Sequence, residues 1–304
     1  MVRPNPFLLV TMLFWGFNFI SLKILFPVME PGAILFWRYF VMGGVLVAVC
    51  KFTGQSLELP KEHRNKILFA GLNSMGIYMI FFMEGVKLTS AGEAAIILVT
   101  NPIMVAIWMI VLRLEPRSVA KVVGSIVAFL GVGLVILGRP GVVATSKEAT
   151  DRILGDLFMI LGAISWSWSV VISKPLSAHI KPLPLFTMSM LGGLPVVLLY
   201  GLAPALRVHW NVFTPWQWTN FAQIALGSGV IGMVFYYKGI SQLPASIATM
   251  HQFLVPVLAT GFAATILHER LAWVQAIGLV VLFFGVLVAM KMIKWPRREV
   301  VAEG

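Results

Sequence analysis

Hydrophobic positions along the chain gather into long runs that carry hardly a charge, separated by short stretches rich in charge, proline or glycine. Runs of about 20 apolar residues have the length of a helix that crosses a bilayer. Their boundaries predict helices at 7–28, 33–52, 66–86, 91–113, 118–138, 153–173, 184–204, 218–239, 244–267 and 272–293. The pattern also repeats. Residues 86–138 align without a gap on 240–292 at an offset of 154, which sets Pro102 on Pro256, Glu115 on Glu269, Gly124 on Gly278 and Gly131 on Gly285. Earlier in the chain Trp15 falls on Trp166, Lys23 on Lys174 and Pro31 on Pro182 at an offset of 151. The repeated unit holds five predicted helices, and an odd number of spans turns the second copy upside down relative to the first. The expected fold is therefore an all-α integral membrane protein, with ten transmembrane helices arranged as two inverted five-helix repeats around a central cavity. One membrane domain spans 1–304, its halves being 1–143 and 144–304, joined through the polar loop Arg139–Arg152.

Composition agrees with that pattern. With 59% hydrophobic residues, 12% charged and a mean hydropathy of +0.91, the chain lies outside the range of soluble domains, and the spans leave no room for a soluble catalytic domain. The segment before the first apolar run is short and has no small-residue cleavage site, which predicts a retained first helix rather than a signal peptide. The single cysteine, Cys50, excludes an intramolecular disulfide and a cysteine metal cluster.

Charge then sets orientation. With the N-terminus in the cytoplasm, 15 basic residues fall on the cytoplasmic side and 6 on the other, with Lys23 and Arg38 left nearer the membrane. The positive-inside rule thus favours both termini in the cytoplasm of a multi-pass inner-membrane protein. The net charge of +11 is mostly this topological signal, so nucleic acid is not an expected partner.

Three stretches resemble the drug/metabolite transporter superfamily and its ten-helix EamA-type exporters: Phe14–Phe19 with Lys23, Thr89–Ala95, and His268–Leu271. The resemblance covers nearly the whole chain, including helix count and inverted repeat, and implies export of small metabolites, often amino acids, through a cavity between the repeats. Leu114–Arg117 departs from the family's usual turn at that place.

Candidate chemistry sits at mid-membrane depth. Pro102 and Pro256 lie about ten residues into their helices, where proline removes a donor and frees carbonyls near Leu98 and Gln252. They read either as packing kinks or, by their recurrence in both repeats, as hinges. Polar side chains at that depth are expected to face a cavity: Trp15, Asn18, Asn73, Tyr78, Asn101, Trp166, Ser169, His251 and Gln252 form the candidate substrate site. For the asparagines the alternative is hydrogen bonding between helices, and for the tryptophans it is core packing. With no lysine or arginine expected at mid-depth, such a cavity suits a neutral or zwitterionic amphiphile.

Glu84, Glu93, Lys238 and Lys23 are candidates for coupling or gating, set against snorkelling and, for Glu93, a capping box with Ser90. His251 is the candidate for coupling to protons, a hydrogen-bonded neutral imidazole being the alternative. Two Asp, ten Glu spread over loops and helix ends, and no nucleophile or phosphate-cradling motif argue against an enzyme, and neither a cofactor nor a metal is expected. A lipid-linked group transferase is the rival reading, and a non-saturable channel the rival within the fold.

Overall fold

The computed structural model describes residues 5–113, 119–138, 147–243, 248 and 251–289. Every regular element among them is helical. Seven helices have the length and apolar composition to cross a membrane, and three further apolar helices are shorter. In chain order they are α1 (Pro6–Leu25), α2 (Pro31–Phe52), α3 (Arg64–Leu88), α4 (Ala91–Leu98 and Asn101–Val111), α5 (Val119–Leu137), α6 (Lys147–Leu176), α7 (Pro182–Ala205), α8 (Pro215–Gln242), α9 (the turn His251–Phe253 followed by Leu254–Ile266) and α10 (Trp273–Ala289).

The starts of these helices are written into the sequence. The Asn5 side chain accepts the backbone N–H groups of Phe7 and Leu8 ahead of Pro6, and Thr214 with Gln217 forms a capping box ahead of α8. Pro31 and Pro182 open α2 and α7 at the one helical position where a missing N–H costs nothing. Apolar residues run around the helices rather than along one stripe. Residues such as Leu13, Phe40, Leu130, Leu199 and Phe284 stay exposed, as expected of helices whose outer faces meet hydrocarbon.

Four helices depart from regular geometry. α3 widens into a π-helical segment over Leu72–Ile77, and α8 does so over Gln223–Gly232. The expected continuous helix 91–113 is instead interrupted at Val99 and Thr100, immediately before Asn101 and Pro102, because the proline can neither donate to nor fit beside the preceding turn. α9 has a 3-10 turn, His251–Phe253, at the matching place before Pro256. α6 also begins earlier than the expected 153, at Lys147, since its polar first turns lie outside the apolar run that a hydropathy reading detects. The expected start at 244, the segment Leu114–Arg117 and residues 139–146 lie outside the described residues.

Packing pairs the helices in a regular scheme. α1 packs on α8 and α9, α6 on α3 and α4, α2 on α7, and α5 on α10. At the α5–α10 crossing, glycines bring backbones into contact: a Cβ at Gly131 would meet Leu282 N at 2.4 Å, and one at Gly285 would meet Ala128 N at 2.3 Å. α3 crosses α7 in the same manner, Gly71 lying against the Ser189 carbonyl and Gly192 against that of Leu68. Small residues are what permit such close approach inside lipid.

Candidate functional site

The two π segments explain how the inner helices interlock. Widening the turn leaves carbonyls without their usual helical partners. The indole N–H of Trp15 donates to the Ser228 carbonyl at 3.3 Å, and the Thr11 hydroxyl reaches the Gly232 carbonyl at 3.1 Å. One turn further along α1, Asn18 Oδ1 accepts from the Ser228 hydroxyl at 2.7 Å. On the other side, the Ser165 hydroxyl of α6 donates to the Asn73 carbonyl within the π segment of α3. Sequence reasoning missed both segments. The available signal was Gly71 and Gly76 in one repeat, and Gly227, Gly229 and Gly232 in the other.

Between these seams lies a cavity. Its wall takes residues from α1, α3, α4, α6, α8 and α9, and one from α2. Counted by the centres of water-sized molecules it holds about 60 Å³, several times what one water needs. Aromatic rings form one side: Trp15 meets Trp166 edge to face at 5.6 Å, Trp15 lies 4.9 Å from Tyr236, and Tyr78 lies 5.0 Å from Trp166. The tryptophans that the sequence duplication pairs thus touch each other. Phe19, Phe82, Met79 and Val255 supply apolar surface.

Of the nine residues expected at a substrate site, Trp15, Asn18, Tyr78, Asn101, Trp166 and Gln252 line this cavity. Asn18 is engaged by Ser228, whereas Asn101 Oδ1 and Gln252 Oε1 are buried without a hydrogen-bond partner. The Gln252 amide N–H donates to Tyr236 Oη at 3.2 Å. The other three are outside the wall. Asn73 bonds back to the Phe69 carbonyl and Ser169 to that of Trp166. His251 Nε2 accepts the backbone N–H of Asn5 at 3.1 Å, which sets the imidazole beside the start of α1.

The expectation that no cationic side chain stands at cavity depth is corrected. Arg38 of α2 lines the cavity and is 5% exposed. A count of basic residues by loop sets Arg38 aside as a membrane-edge residue because such a count carries no information about which way α2 faces.

The other candidates occupy the ends and flanks. Pro102 and Pro256 are both buried, each just beyond an interrupted turn. Lys23 donates to the Lys87 carbonyl at 3.2 Å, and its repeat mate Lys174 donates to the carbonyls of Ile240 and Leu243. Each lysine thereby satisfies carbonyls at the C-terminal end of α3 or α8, where a helix dipole favours a cation. Glu84 accepts from the Tyr200 hydroxyl, and Lys238 stands 4.0 Å over the ring of Phe7. Glu93 is buried, accepting from the Thr89 hydroxyl at 2.9 Å and the Gln275 amide at 3.4 Å, while its own N–H is capped by Ser90.

Sequence reasoning gave no role to Glu269. Its two carboxylate oxygens accept the backbone N–H groups of Ala91 and Gly92, at 3.1 and 3.2 Å, so the α9–α10 connection caps the start of α4. A left-handed backbone at His268, with φ of 56°, turns the chain into that position. The pairing of Glu115 with Glu269 in the duplication was the signal. Among the described residues no group of His, Cys, Asp and Glu side chains could hold a metal ion.

Apolar helices stacked around an aromatic-walled cavity define a multi-pass helical membrane protein. The sequence pattern of the EamA-like transporter family matches residues 4–137 and again 153–291. The chain belongs to that family, a family of transporters rather than of enzymes, and so meets both a small-molecule substrate and a lipid bilayer. It is 26% identical to the uncharacterized transporter YyaM of Bacillus subtilis, over 94% of this chain and 92% of that one. An uncharacterized transporter of Archaeoglobus fulgidus is 25% identical, over 93% and 96% of the two chains. A solved crystal structure at 19% identity superposes with a TM-score of 0.68, covering 94% of this chain and 96% of the other, and shares the fold.

Proposed function

We propose that this protein is a secondary carrier that exports small neutral or zwitterionic metabolites, such as amino acids, across the inner membrane by alternating access. Ten spans form two inverted halves, residues 1–143 and 144–304, with both termini in the cytoplasm. The observation that carries the reading is the contact of Trp15 with Trp166 in the cavity wall. Two residues related by the duplication meet only if its axis passes close to them, and a site on that axis is served equally by both halves. The packing scheme supports the same symmetry, since exchanging α1 with α6, α2 with α7, α3 with α8, α4 with α9 and α5 with α10 turns the pairings of α1 into those of α6, leaves α2–α7 and α5–α10 as they are, and turns α3–α7 into α2–α8, which also pack together.

In this mechanism the halves rock about the cavity, and α4 and α9 bend at the interrupted turns before Pro102 and Pro256, where fewer helical hydrogen bonds resist bending. Trp15, Asn18, Asn73, Tyr78, Asn101, Trp166, Ser169, His251 and Gln252 remain the proposed solute-contacting set, the six in the wall first. Protons are the proposed coupling ion, with His251 and Glu84 as the groups to test.

The deciding experiment reconstitutes the full chain in liposomes loaded with unlabelled amino acids and follows uptake of a labelled one. A carrier shows counterflow that saturates with solute. Flux rising linearly with concentration, without counterflow, contradicts the reading.

A further inference from the structure

Arg38 is a cation placed where cations are expensive. A charged side chain at membrane depth is stable only with a partner or with water, and such residues face a functional interior. Arg38 is almost wholly buried, it lines the central cavity, and its Nη1 has no hydrogen-bond partner. Tyr78 lines the same cavity. A guanidinium offers five N–H donors in a fork that fits a carboxylate. Two other buried polar atoms of the same wall also lack partners, and both are acceptors: Asn101 Oδ1 and Gln252 Oε1. The unmet demand of the cavity is therefore mixed in sign, consisting of a cationic donor on α2 and neutral amide acceptors on α4 and α9. Apolar contact is supplied by Phe19, Phe82 and Val255.

We infer that Arg38 is the anion-binding residue of the cavity and that the transported solute is a carboxylate with an apolar side chain and a hydrogen-bond donor. The carboxylate sits on the guanidinium, and the donor, an ammonium or hydroxyl, satisfies Asn101 and Gln252. This inference rests on the carrier reading and changes its solute class, excluding solutes that lack an ionised carboxyl group and admitting anionic hydroxy acids beside zwitterions. A single arginine without a lysine beside it matches one carboxylate better than a phosphate, whose higher charge calls for several basic groups.

The test uses matched sets sharing a side chain. Leucine, methionine and phenylalanine are each offered as the free amino acid, as the amide, and as the carboxylic acid lacking the amine. Binding to the purified full chain is read from the rise in melting temperature, and transport from counterflow in liposomes. The expected result is stabilisation by acids and amino acids and none by amides. In Arg38→Gln the affinity for carboxylates falls roughly 10- to 100-fold, the span expected on removing a hydrogen bond to a charged group. Because that substitution removes an unpaired buried charge, the ligand-free variant melts at the same temperature as the parent or higher. Arg38→Lys keeps the charge and recovers part of the binding.

Amides that stabilise as well as acids would overturn the inference. So would unchanged carboxylate binding in Arg38→Gln, a lower melting temperature for that variant without ligand, or no stabilisation by any carboxylate tried. Saturable counterflow of amides alone refutes this inference and leaves the carrier reading standing. Linear flux for every set removes the carrier reading itself.

Discussion

The α5–α10 crossing and the cavity wall are built from opposite materials. At the crossing, Gly131, Gly278 and Gly285 let one backbone rest on the other, with no space for a side chain between them. In the wall, aromatic side chains stand around open volume, and Arg38, Asn101 and Gln252 keep polar atoms without partners. Close packing gains stability from every atom it brings into contact. A binding cavity forgoes part of that gain to keep room and unmet hydrogen bonds for a solute. The protein is thus closest packed at the crossing and leaves polar atoms unsatisfied in the cavity wall.

Substitutions in the two regions have graded effects. The largest effect is expected at the crossing. Gly131→Leu or Gly278→Leu forces α5 and α10 apart at a cost of about 3 kcal/mol or more, seen as loss of monodisperse protein and a collapse of the melting temperature. Next comes the gate. Replacing Pro102 and Pro256 together by Ala leaves the chain folded and slows counterflow roughly tenfold, and unchanged transport would remove the prolines as hinges. Glu269→Gln weakens the cap on α4 and costs about 1 kcal/mol in thermal unfolding. Asn5→Ala loses an N-cap of similar size, about 1 kcal/mol by the same measurement. The smallest effect lies within α5. Gly133 has nothing within 4 Å of where its Cβ would lie, so Gly133→Ala is accommodated and stabilises by about 0.5 kcal/mol although it lies two residues from Gly131.

Helices were the legible part of the sequence because an apolar run of bilayer length has few other uses. Their polar ends were less so. The first turns of α6 carry Glu148, Asp151 and Arg152, and a hydropathy reading starts the helix only after them. Side-chain direction failed where the helix itself changes pitch. Periodicity puts Asn73, Ile80 and Glu84 on one face, but Leu72–Ile77 is π-helical, and the wider turn shifts the phase of everything beyond it. Asn73, at the start of that segment, bonds back to the Phe69 carbonyl, and beyond it Glu84 meets Tyr200 on α7. Trp15, Asn18 and Trp166 lie on regular helix and line the cavity, whereas Ser169, on regular helix as well, bonds back to the Trp166 carbonyl. Arg38 was illegible for a different reason. A charge within an apolar run can snorkel to an interface or point inward, and only the helices packed around it decide which.

The central claim is that one cavity between two halves opens to each side of the membrane in turn. It is tested most directly by a single cysteine at Ala95, in the cavity wall, on a background in which Cys50, the only native cysteine, is replaced by Ser. Sealed vesicles of known orientation are treated with a membrane-impermeant thiol reagent from the outside or from the inside, with and without transported solute. The account predicts that the same cysteine reacts from either side, that solute protects it, and that the vesicles remain impermeable to the reagent throughout. Reaction from one side only, or none from either, would contradict it.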